Sequence, residues 1–214
     1  MLMMPQSSHA LRAAATVYNE KVVFHSDEGN ITVLKLTMQN IAKYKKQMLA
    51  IAKTLPDRTP VPSIKDYEVI YRYLIENSGL TEDGLVHYVA LSGNTVRGYV
   101  LCDVDTKNGL VLNLYTIGIN KKYENRGIGN LLLREAAKKA ESMQIFVITA
   151  EVKKGNERLI RFFCNRGFEI ARVALDVFDL KAQVSSVLEA TGKNISLAPA
   201  YASYDTLTAI QGAA

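Results

Sequence analysis

The segment INKKYENRGIG, residues 119–129, stands between an apolar, strand-like run at residues 109–119 and a run with helical periodicity at residues 128–143. A strand, a glycine-containing loop and a helix N-terminus in this order form an anion site, because the loop amides converge and the helix dipole places partial positive charge at its start. Gly127 and Gly129 let the backbone turn and let a ligand approach closely. Three basic side chains add positive charge: Lys121, Lys122 and Arg126. The natural occupant of such a site is a diphosphate.

A tight turn without a ligand is the commoner role of a lone G-x-G at a helix start. The sequence contains no G-x-x-x-x-G-K-[ST], which argues against a nucleoside-triphosphate loop. No third glycine follows at the Rossmann spacing. The segment alone therefore leaves the ligand open.

A second motif, NERLIRFFCNRGF at residues 156–168, follows after one predicted strand at residues 145–152. Asn156 is suited to cap the start of a short helix, and Gly167 is suited to a left-handed turn at its end. Phe168 then starts the next strand. Helical spacing places three apolar side chains on one face: Leu159, Ile160 and Phe163.

The two segments together resemble motifs A and B of the GNAT superfamily of acyl-CoA-dependent N-acyltransferases. Motif A of that family reads V-x-P-x-x-[QR]-x-x-G-x-[GA], and its positions are held here by Ile119, Glu124, Gly127 and Gly129. Motif B reads N-x-x-[AS]-x-x-x-Y-x-K-x-G-F, and its positions are held here by Asn156, Leu159, Phe163, Asn165, Gly167 and Phe168. The resemblance covers approximately residues 30–180.

The resemblance implies an α/β fold with a mixed, mostly antiparallel central sheet flanked by helices, splayed between the strands at residues 109–119 and 145–152. It implies transfer of an acetyl group from acetyl-CoA to a primary amine by direct attack, with CoA as the co-substrate and no metal. In the family, pantetheine lies in the cleft at the splay, and a backbone N–H near residues 117–119 would stabilise the oxyanion. Carried over position by position, the cofactor-binding residues are Ile117, Gly118, Ile119, Glu124, Asn125, Arg126, Gly127, Ile128, Gly129, Asn130, Asn156 and Phe163.

Four positions depart from the family pattern. Glu124 replaces Gln or Arg, Lys121 replaces proline, and Asn165 replaces lysine. Phe163 replaces the tyrosine often proposed to protonate the departing thiolate. A pantetheine thiol resembles cysteine, whose pKa is about 8.5, so its thiolate leaves tolerably without this acid.

The catalytic side chains are expected on the strand before motif A. Histone-type members of the family place a glutamate there, at the position of Asn113, which cannot take a proton but could hold a water or an amine. Tyr115 projects to the same face two residues later and is the candidate for a relocated acid. Three acidic residues at strand ends are further candidates for the base: Asp103, Asp105 and Glu151.

Three functions are compatible with the sequence. The first is N-acetyl transfer to an amine of a small molecule or a protein. The second is a non-catalytic acyl-CoA-binding regulatory module, which Phe163, Asn113 and Glu124 favour. The third is acetylation of charged tRNA, which the net charge of +5 and the lysine-rich helix predicted at residues 39–55 favour. No basic and aromatic platform for nucleic acid is evident, so the third function has the least support.

Composition indicates a single cytoplasmic domain. With 214 residues and 48% hydrophobic content, the chain can bury one sizeable core. No apolar run approaches the roughly 20 residues that span a membrane, so no membrane partner is expected, and a homodimer is left open. The three histidines form no spaced cluster, and Cys102 and Cys164 show neither metal-site nor disulfide spacing.

Residues 1–20 are expected to form a flexible tail, with a mitochondrial transit peptide as the alternative, and residues 21–214 a single domain with a C-terminal extension from about residue 181. The predicted order of elements is β-α-α-β-β-β-α-β-α-β. Before motif A we expect a strand at 31–36, followed by helices at 39–55 and 63–76 that flank a proline-rich loop at 56–62. Strands at 85–91 and 95–104 follow, joined by a turn at 92–94, and a second turn at 107–109 leads to motif A. Beyond residue 180 we expect a short helix at 184–190 and an edge strand within 194–210.

Overall fold

The computed structural model describes residues 17–18, 21–24, 30–37, 39–55, 86–105 and 111–192. Within these ranges nine strands are present: β1 (Val17–Tyr18), β2 (Lys21–Phe24), β3 (Ile31–Lys35), β4 (Val86–Ser92), β5 (Thr95–Asp105), β6 (Val111–Ile119), β7 (Val147–Lys153), β8 (Glu169–Val173) and β9 (Val177–Gln183). The same ranges contain four α-helices: α1 (Ile41–Ala52), α2 (Ile128–Ser142), α3 (Glu157–Cys164) and α4 (Val184–Gly192). A short 3₁₀ turn, Lys121–Tyr123, precedes α2.

The strands form one sheet in the order β1-β2-β3-β4-β5-β6-β7-β9-β8. Every neighbouring pair is antiparallel except β6 and β7. Helix α2 joins these two strands by a crossover connection, which is the connection that a parallel pair requires. The predicted α/β fold with a mostly antiparallel sheet is therefore confirmed.

Helices cover both faces of this sheet. On one face α1 buries Tyr44 and Met48 in a cluster with Tyr99 of β5. On the opposite face α2, α3 and α4 contribute to a larger core, in which Leu132 of α2 is fully buried together with Val100 of β5. Because both faces are covered, β5 is buried along nearly its whole length. No helix among the described residues has the length and hydropathy to cross a membrane.

The predicted hairpin joins β4 to β5 through Gly93 and Asn94, with Ser92 paired to Thr95. Gly93 has a φ of +58°, the left-handed conformation that such tight turns require. The predicted short helix after residue 180 is also present, as α4. Turn chemistry and periodicity were thus sufficient to place these elements.

Three of the strands, β1, β2 and β9, were not predicted from the sequence. β9 lies between β7 and β8 and pairs with β7 along its whole length. Motif B is therefore followed by a hairpin of β8 and β9, and not by one strand as predicted. The turn between β8 and β9 is closed by a hydrogen bond from the N–H of Ala174 to the carbonyl of Val177 at 3.0 Å, and it contains neither Gly nor Pro. Asp176 is the one usual turn residue in this turn, so the boundary gave only a weak signal.

Several predicted elements lie outside the described residues: the loop at 56–62, the helix at 63–76, the turn at 107–109 and the strand within 194–210. Most of the predicted N-terminal tail lies outside them as well. Its last part contributes β1, which pairs Val17 with Val22 and Tyr18 with Lys21. The domain boundary near residue 21 stays a prediction.

β6 and β7 separate partway along β6. Their parallel pairing ends at Leu114 and Ala150. At the same point the pairing between β5 and β6 shifts by one residue, which leaves Tyr115 as the extra residue of a β-bulge between Leu114 and Thr116. A bulge bends its strand. β6 therefore turns away from β7, and the splay predicted between these two strands is confirmed.

Candidate active site

A cleft opens where β6 and β7 separate, and α3 closes one of its sides. Its cavity volume is about 160 Å³, smaller than the roughly 300–1,000 Å³ of pockets that enclose a whole small ligand. The cleft therefore suits a slender segment of a longer ligand. Its lining is mostly apolar and includes Tyr115, Thr116, Ile117, Ile119, Ala150, Val152, Leu159, Phe162 and Phe163.

Among the described residues, no strand pairs with the edge of β6 that lies along this cleft. From Thr116 to Ile119 the strand still pairs with β5 on its other side. Its pairing with β7 has already stopped at Leu114. The N–H and C=O groups on that edge are positioned to pair with an extended ligand, as with an added strand.

The loop between β6 and α2 leaves backbone N–H groups open to an anion. The Asn120 side chain caps the 3₁₀ turn by accepting a hydrogen bond from the N–H of Lys122 at 3.1 Å. Asn125 and Gly127 then adopt positive φ angles of 61° and 78°, a conformation that Asn and Gly tolerate best. Gly127 is the N-cap of α2 and has no side chain that could accept from the first-turn N–H groups. With no acidic residue in its first turn, this helix start is suited to an anion from outside the chain.

Gly129 allows α3 to pack closely against the start of α2. A Cβ atom at Gly129 would lie 2.9 Å from Cε2 of Phe162, which is closer than side chains approach one another. Phe162 in turn lines the cleft. The second glycine of motif A is thus required for packing next to the cleft, in addition to any ligand contact.

The side chain of Arg166 links α3 to α2 through hydrogen bonds. Its Nε donates a short hydrogen bond to Oδ1 of Asn130, and its Nη1 donates to the carbonyl of Phe162 at 2.5 Å. Its guanidinium also stacks over the Phe162 ring, with Cζ 3.8 Å from the ring centroid. Burial lowers the pKa of Arg166 to about 10. This role of Arg166 was not predicted, because its place directly before Gly167 of motif B is the only signal in the sequence.

A salt bridge joins the two sides of the cleft near the anion loop. Nη1 of Arg158, in the first turn of α3, lies 2.7 Å from Oε2 of Glu124. Both residues line the cleft. Glu124, which departs from the family pattern, therefore has the guanidinium of Arg158 beside it. This positive charge offsets the repulsion between the Glu124 carboxylate and an incoming diphosphate.

Two arginines flank Tyr123 beside the same loop. Cζ of Arg97 lies 3.7 Å from the ring centroid of Tyr123, and Cζ of Arg126 lies 5.5 Å from it. These cation–π contacts hold two positive charges next to the helix start. The positive surface predicted around the loop is thus larger than the sequence indicated, because Arg97 comes from the distant strand β5.

Phe163 lies at the boundary between the core and the cleft. Its side chain is buried, and its ring centroid is 5.3 Å from that of Phe162 in a T-shaped arrangement and 4.9 Å from that of Phe168. It also lines the cleft. The position of the family's tyrosine is therefore occupied by an aromatic ring without a hydroxyl. At the start of the same helix, the Asn156 side chain accepts from the N–H of Leu159 at 3.1 Å, which confirms the predicted cap.

A polar cluster lies where the two strands part. The hydroxyl of Tyr115 donates a hydrogen bond to Oδ2 of Asp103 at 2.7 Å. The hydroxyl of Thr149 donates to Oδ1 of Asn113 at 2.6 Å, and the Asn113 side chain also hydrogen bonds to Asp103. Burial raises the pKa of Asp103, while the hydrogen bonds from Tyr115 and Asn113 act in the opposite direction. Burial, followed by the hydrogen bond to Asp103, raises the pKa of Tyr115 above its ordinary value of 10.0.

These arrangements can be compared with known proteins. The model of the Acetyltransferase (GNAT) family matches residues 50–168, which is more than half of the chain. The chain belongs to the GNAT acetyltransferase family. No curated protein matches the sequence significantly.

Solved structures of GNAT proteins share the fold at low sequence identity. The PaiA N-acetyltransferase of Thermoplasma acidophilum in complex with coenzyme A is 16% identical with a TM-score of 0.56, over 72% of this chain and 98% of that chain. The ribosomal-protein-S18-alanine N-acetyltransferase of Escherichia coli is 15% identical with a TM-score of 0.54, over 81% of this chain and 99% of that chain. Arabidopsis thaliana Naa50 in complex with a bisubstrate analogue is 18% identical with a TM-score of 0.53, over 71% of this chain and 97% of that chain.

Half of the predicted cofactor-binding residues line the cleft between β6 and β7. The others lie on the adjoining strand, loop and helix start. Those that line it are Ile117, Ile119, Glu124, Gly129, Asn156 and Phe163. Gly118 lies against the ring of Tyr99, the side chain of Ile128 is in the core, and the side chain of Asn130 is held by Arg166. Gly118 and Ile128 can therefore offer a ligand only their backbone, and Oδ1 of Asn130 is already bonded to Arg166.

The predicted catalytic residues meet at Asp103, to which both side chains hydrogen bond. Tyr115 also lines the cleft, whereas Asn113 lies in the paired part of β6, opposite Thr149. Of the other candidates, Glu151 is exposed and lines the cleft, and Asp105 is half-buried at the end of β5. Among the described residues, no group of His, Cys, Asp and Glu is arranged to hold a metal ion.

Proposed function

We propose that this GNAT protein transfers the acetyl group of acetyl-CoA to a primary amine by direct attack. The observation that carries the proposal is the splay itself. The edge of β6 that has no partner strand among the described residues leads directly to a helix N-terminus with positive surroundings and no side-chain cap. A long ligand with an extended amide-bearing arm and a diphosphate matches both parts.

The pantetheine arm would lie along the free edge of β6. Its two amides would pair with backbone groups between Thr116 and Ile119, and its apolar segments would contact Leu159 and Phe163. A backbone N–H near Ile117 would then stabilise the oxyanion that develops on the thioester carbonyl. Positioning of this kind supplies much of the acceleration in a transfer between two bound substrates.

The diphosphate would bind at the start of α2, with Arg158 beside it. Arg158→Ala is expected to weaken CoA binding by about twofold to fivefold at low ionic strength, because an exposed charge contributes less than about 1 kcal/mol. The difference should shrink in high salt, where the charge is screened. Isothermal titration calorimetry at two salt concentrations measures both effects.

Arg161 provides the matched control for this prediction. It lies on the same helix, is equally exposed, and pairs with Glu157 at 3.1 Å. Arg161→Ala should leave CoA affinity unchanged. Equal losses in the two variants would show that general charge, and not the position of Arg158, determines binding.

The missing hydroxyl at Phe163 leads to a second prediction. Phe163→Tyr is expected to leave CoA affinity nearly unchanged and to raise turnover or leave it level, because only thiolate protonation depends on an acid at this position. Steady-state kinetics with acetyl-CoA measures turnover, and a thermal melt checks that the added hydroxyl is tolerated at this buried site. A tenfold fall in turnover with a normal melt would contradict the expectation that only thiolate protonation depends on this helix position.

The acceptor is proposed to be an amine of a small molecule or a protein. Structural neighbours include N-acetyltransferases whose names specify protein acceptors, such as the ribosomal-protein-S18-alanine N-acetyltransferase. A non-catalytic acyl-CoA-binding module is the second candidate, and the buried ring of Phe163 at the position of the family's acid favours it. Charged tRNA is the third candidate acceptor.

Mass-spectrometric product detection with acetyl-CoA distinguishes these candidates. The panel contains small primary amines, peptides with free N-termini and charged tRNA. An acetylated amine or peptide supports the proposed enzyme. Tight binding of acetyl-CoA without any product, even at a pH where the amines are neutral, would establish the binding module.

A further inference from the structure

A second cavity lies on the face of the sheet that α1 covers. Its volume is about 540 Å³, which is within the roughly 300–1,000 Å³ of pockets that enclose a small ligand. Helix α1, the start of β5 and the 3₁₀ turn before α2 form its walls, with the residues Gln47, Ala50, Ile51, Thr54, Thr95, Val96, Asn120, Lys121 and Lys122. Among the described residues, none lines both this cavity and the cleft between β6 and β7, so the two are separate.

The side chain of Gln47 fixes α1 against the start of β5. Its Nε2 donates a hydrogen bond to the carbonyl of Asn94 at 3.2 Å, and its Oε1 accepts from the N–H of Val96 at 2.9 Å. Ile51 and Val96 are buried and give the cavity an apolar part. Two of the walls are therefore in place before any ligand arrives, which lowers the entropic cost of binding.

The charge around this cavity is positive. Lys121 and Lys122 are exposed, and among the described residues neither ammonium group forms a salt bridge. Within the same part of the chain, no acidic residue lines the cavity, and α1 contains neither Asp nor Glu. Lys46 and Lys53 on α1 are exposed as well and add to the positive potential. The cavity is therefore suited to an anion.

We propose that this cavity binds a small phosphomonoester, which regulates the binding of acyl-CoA at the separate cleft. A phosphomonoester carries a charge of about −1.5 to −2 at pH 7, which matches the two ammonium groups. Lysine binds phosphate as a point charge, and the hydroxyl of Thr95 and the side-chain amide of Asn120 can donate further hydrogen bonds to phosphate oxygens. The organic part of the ligand would contact Ile51 and Val96.

The turn that carries the two lysines continues into the loop at which the diphosphate of CoA is proposed to bind. The carbonyl of Asn120 accepts from the N–H of Tyr123 at 2.7 Å, and its Oδ1 accepts from the N–H of Lys122 at 3.1 Å. Glu124 follows directly and lines the cleft. A phosphate on the lysines would neutralise positive charge beside the diphosphate, so it would weaken CoA binding. CoA would weaken phosphomonoester binding by the same factor.

This regulation rests on the proposed binding of acetyl-CoA, whereas the site itself does not. Isothermal titration calorimetry of the full chain with phenyl phosphate tests both, with and without saturating CoA to fill the diphosphate loop. Phenyl phosphate should bind in both titrations. Inorganic phosphate and phenol each lack one part of this probe and should bind at least about tenfold more weakly. Saturating phenyl phosphate should lower CoA affinity by about twofold to fivefold at low ionic strength, and by less in high salt.

Ala50→Phe fills the cavity without changing its charge. Ala50 is exposed on α1, so the helix should tolerate the larger side chain, and a thermal melt checks this. Phenyl phosphate binding should weaken by at least about tenfold, and CoA affinity should stay at the wild-type value. Ala42→Phe is the matched control, since Ala42 is exposed on the same helix but does not line the cavity. It should bind phenyl phosphate as the wild type does.

A pair of double variants tests the contribution of charge. Lys121→Ala combined with Lys122→Ala should weaken phenyl phosphate binding by at least about tenfold. Lys139→Ala combined with Lys181→Ala removes two positive charges from α2 and β9, outside the cavity. This control should bind phenyl phosphate as the wild type does.

A wild type that does not bind phenyl phosphate at millimolar concentration would overturn the site. Binding that survives both Ala50→Phe and the loss of Lys121 and Lys122 would overturn it as well, because the probe then binds elsewhere. Equal losses in the two double variants would assign the binding to net charge and refute the site. Unchanged CoA affinity at saturating phenyl phosphate would refute the regulation. If the wild type does not bind CoA, the proposed acetyl transfer and the regulation fail together, while the titration without CoA still decides on the site.

Discussion

CoA binding is expected to weaken by at least about 100-fold when Gly127 and Gly129 are both replaced by valine, a loss of about 2.8 kcal/mol. Gly127 has a φ of +78°, which a β-branched residue adopts only with strain. At Gly129 a side chain would meet the ring of Phe162, which would have to move toward the cleft that it lines. The double substitution thus disturbs the anion loop and the cleft together.

Gly155 provides the control for this double variant. It lies in the loop before α3, and a Cβ atom there would meet no atom of the described residues within 4 Å. Gly155→Val should bind CoA as the wild type does. Calorimetry measures the affinities, and circular dichroism checks that each variant is folded. Undiminished affinity in a folded double variant would show that the loop does not hold the diphosphate.

The second large effect is expected on stability. Arg166→Ala should lower the free energy of unfolding by about 2–3 kcal/mol, because it removes charge-assisted hydrogen bonds and leaves part-buried acceptors without partners. The acceptors are Oδ1 of Asn130 and the carbonyl of Phe162, and stacking on the Phe162 ring is lost as well. Urea unfolding measures the change. CoA affinity should fall with it, since Arg166 joins α3 to the start of α2.

Arg172 offers a matched comparison. Its side chain is 72% exposed and forms a salt bridge with Asp179 at the sheet edge. Exposed salt bridges contribute less than about 1 kcal/mol, so Arg172→Ala should cost no more than that. If the two variants lose the same stability, the contacts of Arg166 are not the reason for its effect.

Backbone conformations that a single residue or a short motif determines could be predicted from the sequence. Gly127 of motif A, the cap at Asn156 and the turn at Gly93 each specify a backbone conformation, and each was placed correctly. The strand β9 was missed because its turn contains neither Gly nor Pro and only one usual turn residue, Asp176. The splay between β6 and β7 came from the family resemblance, whereas the bulge at Tyr115 that produces it has no signature in the sequence.

The side-chain partnerships of the site were beyond sequence reasoning. Arg158 and Glu124 are 34 residues apart, and Arg166 and Asn130 are 36 apart. Tyr115 and Asp103 meet only because β5 and β6 pair with a one-residue shift. A periodic pattern reports which face a residue occupies, but the partner across the sheet depends on register and bulges. The hydrogen bonds of the polar cluster could therefore be recognised only in the structure.

The central claim is that the gap between β6 and β7 is the acyl-CoA cleft. A crystal structure of the protein with bound CoA tests it most directly. We predict pantetheine density along the free edge of β6 between Thr116 and Ile119, its sulfur near Tyr115, and the diphosphate on the N–H groups at the start of α2. CoA bound elsewhere on the molecule, with the gap between β6 and β7 left to solvent, would contradict the account.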